Sequence, residues 1–131
     1  MSTASPATAG FSPAAAPTAT ASANTNIALI KYWGKVDEAQ AIPATSSLSL
    51  TLGGTRTTTT VSFDGGDGAA DSVTINGASP SAVELGRVTR FLDLVRAHSG
   101  VTAPATITSR ASVPLAAGLA SSAAGFAALA A

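Results

Sequence analysis

The sequence predicts an α+β fold, in which helices pack on a sheet of mostly antiparallel strands. The first observation is a pair of successive segments, SSLSLTL and RTTTTVSF, which alternate in polarity or are rich in β-branched residues. The second is a helical face, formed by apolar residues at i, i+3, i+4 and i+7, namely Val88, Phe91, Leu92 and Val95. The chain has 131 residues, which is enough for about one domain.

The N-terminal segment, residues 1–22, is an Ala/Pro/Ser/Thr tract with a single Phe. Such a tract buries too little apolar surface to offset the loss of chain entropy on folding. We therefore expect a disordered extension over residues 1–22, and an ordered domain over residues 23–131.

Several strands are expected after that extension. A buried strand containing Ile27 and Leu29 runs into KYWGK, residues 31–35. In SSLSLTL, three leucines share one face, and Gly53-Gly54 then predicts a turn before RTTTTVSF. The Gly/Asp segment at residues 64–71 is expected to be a solvated loop, and SVTING a short strand.

Two helices complete the prediction. Ser81 and Glu84 have the spacing of a capping box, and Gly100 marks the end of that helix. The segment APATITSR is a further strand. Residues 118–131 are apolar on every face, which indicates a buried helix.

The composition argues against several classes of protein. The chain is formally neutral and 11% charged, which argues against a nucleic-acid binder. It has no Cys and one His, so disulfides are absent and a Cys/His zinc site is disfavoured. Neither a membrane-length apolar run nor a basic targeting start is visible, so we expect a cytoplasmic protein without a membrane partner.

The KYWGK segment concentrates the chain's only Trp and only Tyr between two lysines. One interpretation is a solvated strand end; the other is an anion site in which ammonium and phenol groups bind a diphosphate. For Tyr32 and Lys35 to converge on one ligand, the strand has to end or bulge at Gly34.

A second candidate for anion binding is PLAAGLASSAAGFAALAA, residues 114–131. A Gly/Ala loop leads through Ser121-Ser122 into a helix, whose first N–H groups and positive dipole end can hold a phosphate. It is not a Walker A loop, because no lysine follows a glycine ahead of the serines. The alternative interpretation is a helix start selected for close packing.

Together these segments resemble a known family. In order, NIALIKYWGK, PATSSLSLTL, TTTT, FLDLVR and AAGLASSAAGFAALA are similar to the N-terminal part of the diphosphomevalonate decarboxylase family, within the GHMP kinase superfamily. The resemblance covers roughly residues 23–131. It implies a GHMP-kinase-like fold (ribosomal protein S5 domain 2-like) and ATP-dependent decarboxylation of (R)-5-diphosphomevalonate to isopentenyl diphosphate, in the mevalonate pathway of isoprenoid biosynthesis.

The resemblance also implies roles for individual residues. The expected substrate-binding residues are Asn26, Tyr32, Trp33, Gly34, Lys35 and Arg87. The expected ATP-phosphate-binding residues are Ala117, Gly118, Leu119, Ala120, Ser121 and Ser122. Ser122 is also similar to the superfamily serine that helps to place Mg²⁺.

Other features of the family have no counterpart in these residues. Its substrate-gripping serine/arginine segment and its catalytic aspartate are expected beyond Ala131, so we expect the 131 residues by themselves to be an inactive N-terminal fragment. A homodimer is one option for the full-length enzyme. Two alternatives stay open: a GHMP small-molecule kinase and a non-catalytic phosphate-binding domain. KYWGK favours the decarboxylase over the kinases.

Overall fold

A computed structural model describes residues 17–65, 70–112 and 121–131. The elements follow a mixed order of strands and helices, which confirms the predicted α+β class. The strands are β1 (Thr18–Ile30), β2 (Lys35–Asp37), β3 (Ile42–Pro43), β4 (Leu48–Ser62), β5 (Ser72–Ile75) and β6 (Thr106–Ala111), and the helices are α1 (Ala82–Ser99) and α2 (Ser121–Ala130).

Four strands form the main sheet, in the order β1-β4-β6-β5. The β1–β4 and β4–β6 pairs are antiparallel, whereas β5 and β6 run parallel. The parallel pair follows from the connection, because α1 lies between β5 and β6 in the chain and returns it to the same end of the sheet. β2 and β3 form a separate antiparallel hairpin.

The first strand starts earlier than the sequence predicts, at Thr18 instead of near Ala23. Its extra residues are held by hydroxyl pairs with β4. The oxygen–oxygen distances are 2.9 Å for Thr18–Ser62, 2.8 Å for Thr20–Thr60 and 2.6 Å for Ser22–Thr58. The expected disordered extension is therefore wrong for residues 18–22, and residues 1–16 lie outside the described part of the chain.

The turn predicted at Gly53-Gly54 is also wrong, because β4 continues through both glycines. The glycines instead accompany a break in register with β1. Asn24 pairs with Arg56 and Asn26 with Thr51, so a single β1 residue faces the β4 stretch 52–55. The extra β4 residues form a bulge, a feature in which glycine is common.

The predicted caps of α1 are confirmed. The Ser81 hydroxyl accepts a hydrogen bond from the Glu84 N–H at 3.3 Å, and the Ser81 N–H donates to the Glu84 carboxylate at 2.9 Å. At the other end, Gly100 has a φ of 74° and its N–H donates to the Arg96 carbonyl. This left-handed backbone is one that glycine adopts without steric cost.

The helices cover one face of the sheet. The core between α1 and the sheet consists of Val73, Leu92, Ala105 and Ile107. α2 lies against β1 and β4, and its buried residues are alanines, Ala124 and Ala128, which permit close approach. The predicted helix over residues 118–131 is confirmed over Ser121–Ala130, and residues 118–120 lie outside the described ranges. The prediction that it is buried on every face is wrong, because Ala123 and Ala127 are exposed. Neither described helix is both long and apolar enough to span a membrane.

One buried charge cluster replaces part of the loop that we expected to be solvated. The Asp71 side chain is 5% exposed and pairs with the Arg96 guanidinium, while its carboxylate accepts the Ala105 N–H at 2.9 Å. Arg96 also donates to the Ala103 carbonyl at 3.2 Å. The cluster therefore ties the end of α1 to the segments that enter β5 and β6. Asp67 lies outside the described residues.

The apolar residues of the β1 and β4 ends are more exposed than the sequence predicts. Leu29 is 60% exposed, Leu48 57% and Leu50 56%. The prediction that Leu29 is buried is therefore wrong for this structure. The physical reason is that α2 lies over other parts of these two strands, and no described element covers this end.

Candidate functional site

The KYWGK segment forms the link between β1 and the β2–β3 hairpin. β1 ends at Ile30, and Gly34 has a φ of 71°, in the left-handed region. The break in the extended run at Gly34 that we expected is therefore present, and the convergence of Tyr32 and Lys35 on one ligand stays a prediction. A side chain at position 34 would be strained by this φ, and its Cβ would lie 3.6 Å from the Ala44 Cβ.

Backbone contacts hold the link in place. The Ala44 N–H donates to the Gly34 carbonyl at 3.1 Å, and the Trp33 N–H donates to the Thr45 hydroxyl at 2.8 Å. Ala44 and Thr45 follow the end of β3. The chain that leaves the hairpin therefore holds Trp33 and Gly34, which precede the hairpin, in place. The link is therefore built as part of the hairpin.

Lys35 is engaged by a carboxylate within the same hairpin. Its Nζ lies 2.8 Å from the Glu38 Oε2. The hydrogen bond and the charge of Glu38 raise the pKa of Lys35, and Tyr32 adds to the increase. The structure thus shows Lys35 paired within the hairpin, and its convergence with Tyr32 on one ligand stays a prediction.

The two aromatic side chains of the segment are open to solvent. Trp33 is 81% exposed and Tyr32 is 45% exposed. An exposed apolar surface beside a cation is a common feature of binding sites. A ligand can bury the aromatic rings while the cation neutralises the ligand's negative charge.

Asn26 lies in β1, ahead of the hairpin. Its Nδ2 donates to the Thr51 hydroxyl at 3.2 Å, next to the break in register between β1 and β4. Among the described residues, no hydrogen bond joins Asn26 to Tyr32 or Lys35. Its predicted role in substrate binding therefore stays a prediction.

A second cluster brings together Arg87 of α1 and Ser122 of α2. Both line a cavity of about 170 Å³ between the helices and the sheet. The floor of this cavity includes Thr57 and Ser109 of the sheet. No described hydrogen bond or salt bridge joins this cluster to the KYWGK hairpin.

Arg87, Ser122 and the Glu84 carboxylate line this cavity together. Ser122 is exposed in the first turn of α2, and that turn has no acidic residue. Among the described residues, Arg87 forms no salt bridge. The Glu84 carboxylate accepts hydrogen bonds from Ser81. These bonds lower the pKa of Glu84, and the charge of Arg87 makes a smaller contribution. A cation, a carboxylate hydrogen-bonded to Ser81 and a helix start therefore face one space.

The expected phosphate loop is only partly visible. Ala117, Gly118, Leu119 and Ala120 lie outside the described ranges, and Ser121 is the first residue of α2. Within those ranges, no group of three His, Cys, Asp or Glu side chains could hold a metal ion. The Ser122 hydroxyl can supply one oxygen ligand to Mg²⁺, whose other ligands would be phosphate oxygens, waters and a carboxylate from elsewhere.

Sequence reasoning missed two residues of the hairpin. Glu38 pairs with Lys35, and Thr45 holds the Trp33 backbone. The i,i+3 spacing of Lys35 and Glu38 was visible, but it indicates a contact only once a helix or tight turn is known. No sequence pattern around Thr45 predicts its contact with Trp33, because the two residues are twelve positions apart.

Comparison with known proteins gives a consistent result. The family profile described as the diphosphomevalonate decarboxylase-like N-terminal domain matches residues 23–131. A diphosphomevalonate decarboxylase from Aspergillus fumigatus is 42% identical over 125 residues, which cover 85% of this chain and 31% of the relative. The human diphosphomevalonate decarboxylase is 40% identical over 125 residues, with the same coverage of both chains.

Solved structures agree with the sequence comparison. The mevalonate diphosphate decarboxylase of Enterococcus faecalis superposes with a TM-score of 0.78 and 49% identity, over 86% of this chain and 35% of that chain. A structure of MDDEF in complex with MVAPP, AMPPCP and magnesium gives a TM-score of 0.79 at 49% identity, over 86% of this chain and 34% of that one. The chain thus spans about a third of the length of the relatives that it matches.

Proposed function

Because this chain belongs to the diphosphomevalonate decarboxylase family, we propose that the protein containing these residues decarboxylates (R)-5-diphosphomevalonate to isopentenyl diphosphate with ATP. The described residues would supply one wall of the substrate site and the start of the nucleotide site. Substrate, activity and pathway are proposals, since the relatives are about three times longer than this chain.

The observation that carries the proposal is the conformation of Gly34. Its φ of 71° lies in the left-handed region and turns the chain between Tyr32 and Lys35, at the start of the hairpin. An ammonium and a phenol can both donate hydrogen bonds to phosphate oxygens, and a charged donor gives the stronger bonds. We propose that this pair binds the diphosphate of the substrate, with Trp33 covering one side.

The second part of the proposal concerns Arg87 and Ser122. The N–H groups at the start of α2 lack partners within the helix and would bind nucleotide phosphates, together with the preceding residues 117–120. The Ser122 hydroxyl would be a single ligand to Mg²⁺. Arg87 lines the same cavity, and its role would be to neutralise phosphate charge on the substrate side.

In the proposed reaction, the nucleotide and the residues of this chain have different roles. Bound ATP supplies the phosphoryl group that turns the tertiary hydroxyl of the substrate into a good leaving group. The residues of this chain position both phosphate-bearing molecules and stabilise their charge, which is what phosphoryl transfer chiefly requires of a protein. An aspartate that faces the tertiary hydroxyl and an arginine that binds the substrate carboxylate are proposed to lie outside residues 1–131. A homodimer and a cytoplasmic location stay predictions.

The test is to follow ADP and CO₂ together, in the longer protein that carries this chain, with (R)-5-diphosphomevalonate and ATP. We expect one CO₂ released for each ADP formed. ADP without CO₂ would favour a small-molecule kinase of the same superfamily. Neither product, with phosphate binding retained, would favour a non-catalytic binding domain.

A further inference from the structure

Glu38 accepts a hydrogen bond from the Lys35 ammonium group, the same group that the proposed function assigns to binding the substrate diphosphate. The Lys35 Nζ lies 2.8 Å from the Glu38 Oε2, at the distance of a charge-assisted hydrogen bond. The Glu38 side chain is 80% exposed and that of Lys35 is 32% exposed. The carboxylate therefore reaches the cation from the solvent side.

The backbone places Glu38 there. Lys35 lies in β2, and Glu38 begins the turn that connects β2 to β3. Asp37 stabilises this turn, because its Oδ1 accepts the Gln40 N–H at 2.9 Å. Ala41 completes the turn with a φ of 55°, in the left-handed region. The turn is short and internally bonded, so it keeps the carboxylate within reach of the lysine.

We propose that Glu38 is the resident counter-ion of Lys35, and that a diphosphate must displace it to bind. This inference rests on the proposed role of Lys35 in diphosphate binding. A phosphate oxygen and the Glu38 carboxylate are both acceptors for the same ammonium group. Because both are negative, they also repel each other when they lie side by side. The unliganded hairpin is thus held in a paired state that lowers the affinity for the substrate.

The expected effect is modest, since exposed ion pairs are weak. Their coupling free energy corresponds to a factor of about two to five in an equilibrium constant. We therefore expect Glu38→Gln to strengthen diphosphate binding about two- to fivefold. Glutamine keeps the length of the side chain and removes the charge, so the turn is expected to be retained.

The measurement uses the chain's only tryptophan as its reporter. Trp33 is two residues from Lys35 and 81% exposed, so an anion bound at Lys35 is expected to change its fluorescence. The longer protein that carries this chain is titrated with inorganic pyrophosphate, and then with (R)-5-diphosphomevalonate, with isothermal titration as the second measure of affinity. The variants are Glu38→Gln, Lys35→Ala and the double variant.

Asp93→Asn is the matched control. Asp93 is also an exposed carboxylate paired at i,i+3, with Arg96, and its Oδ1 lies 3.0 Å from the Arg96 Nη1. The Asp93→Asn substitution removes one negative charge, as Glu38→Gln does, but at a position away from the hairpin. We expect Asp93→Asn to leave pyrophosphate affinity unchanged. Glu38→Gln is expected to have no effect once Lys35 is alanine, because the pair no longer exists.

The outcomes separate this inference from the function on which it rests. If Lys35→Ala weakens binding but Glu38→Gln does not strengthen it, the counter-ion role is wrong and the substrate site stands. If Glu38→Gln strengthens binding equally in the Lys35→Ala background, the effect is one of net charge, and the inference is again wrong. If Lys35→Ala changes nothing, or the unmodified longer protein binds neither ligand, the proposed diphosphate site itself is wrong, and the inference is wrong with it.

Discussion

At the scale of single residues, the least expected feature is the buried carboxylate of Asp71. Burial acts to raise the pKa of Asp71, but hydrogen bonds from the Arg96 guanidinium and the Ala105 N–H outweigh burial, so that the pKa lies below its usual value. Asp71 and Arg96 are 25 positions apart, and no local pattern links residues at such a distance. The sequence indicated only a Gly/Asp loop, because a nonlocal ion pair depends on how β5, α1 and β6 pack.

Asp71→Ala is expected to lower the free energy of unfolding by about 3 kcal/mol, the size typical of removing one partner from a buried ion pair. Asp93→Ala removes the exposed partner of the same arginine, and is expected to cost less than about 1 kcal/mol. Chemical denaturation of both variants measures the difference. Equal losses would mean that the Asp71 pair is no more important than a surface contact.

The same carboxylate predicts how stability depends on pH. Because its pKa is lowered in the folded state, its contribution is present above the unfolded value of about 3.9 and is lost as the pH falls through the folded pKa. The free energy of unfolding of Asp71→Asn is therefore expected to fall less between about pH 5 and pH 2 than that of the unmodified chain. Parallel pH profiles for the two proteins would contradict this assignment.

Ser122→Ala is expected to reduce turnover by about a hundredfold, because the proposed Mg²⁺ ligand is lost and with it part of the stabilisation of transition-state charge. The thermal midpoint should change little, since Ser122 is exposed. Steady-state kinetics and thermal unfolding of the longer protein measure both quantities, with the exposed Ser99→Ala as a control. A lower thermal midpoint with normal turnover would make Ser122 a helix cap and nothing more.

At the scale of elements, short sequence patterns predicted the features that depend only on neighbouring residues, such as helix caps. Ser81, Glu84 and Gly100 fixed the ends of α1, because caps act within one helical turn. Gly53-Gly54 misled the prediction, since glycine marks bulges as well as turns, and only the pairing of β1 with β4 decides between them. The early start of β1 depends on hydroxyl pairs with β4, which a single segment does not reveal.

Two glycines inside the helices predict a gain in stability. Gly86 lies in α1 and Gly125 in α2, and a Cβ added at either position meets no atom within 4 Å. Gly86→Ala and Gly125→Ala are each expected to raise the free energy of unfolding by about 0.5–1 kcal/mol, because alanine loses less backbone entropy on folding. Gly100→Ala is the opposing control. Its φ of 74° is expected to make the substitution destabilising by about 1–2 kcal/mol. Stabilisation by all three substitutions, measured by denaturation, would contradict this reasoning.

At the scale of the whole molecule, the described residues divide into a packed end and an open end. α1 and α2 cover one face of the sheet, whereas Leu29, Leu48 and Leu50 are more than half exposed. The resemblance in KYWGK and AAGLASSAAG predicted the family, and the fold comparison confirmed it. The contact between Lys35 and Glu38 was not predicted, because it depends on the turn between β2 and β3.

The most direct test of the central claim is the affinity of Lys35→Ala for two ligands. In the longer protein, isothermal titration measures the dissociation constants of (R)-5-diphosphomevalonate and of ATP. Removing one charge-assisted contact corresponds to about 1.5–3 kcal/mol, so we expect diphosphomevalonate to bind about ten- to a hundredfold more weakly. ATP binding is expected to be unchanged, because its phosphates are assigned to the start of α2. Equal losses for both ligands, or no loss for either, would contradict the assignment of the hairpin to the substrate diphosphate.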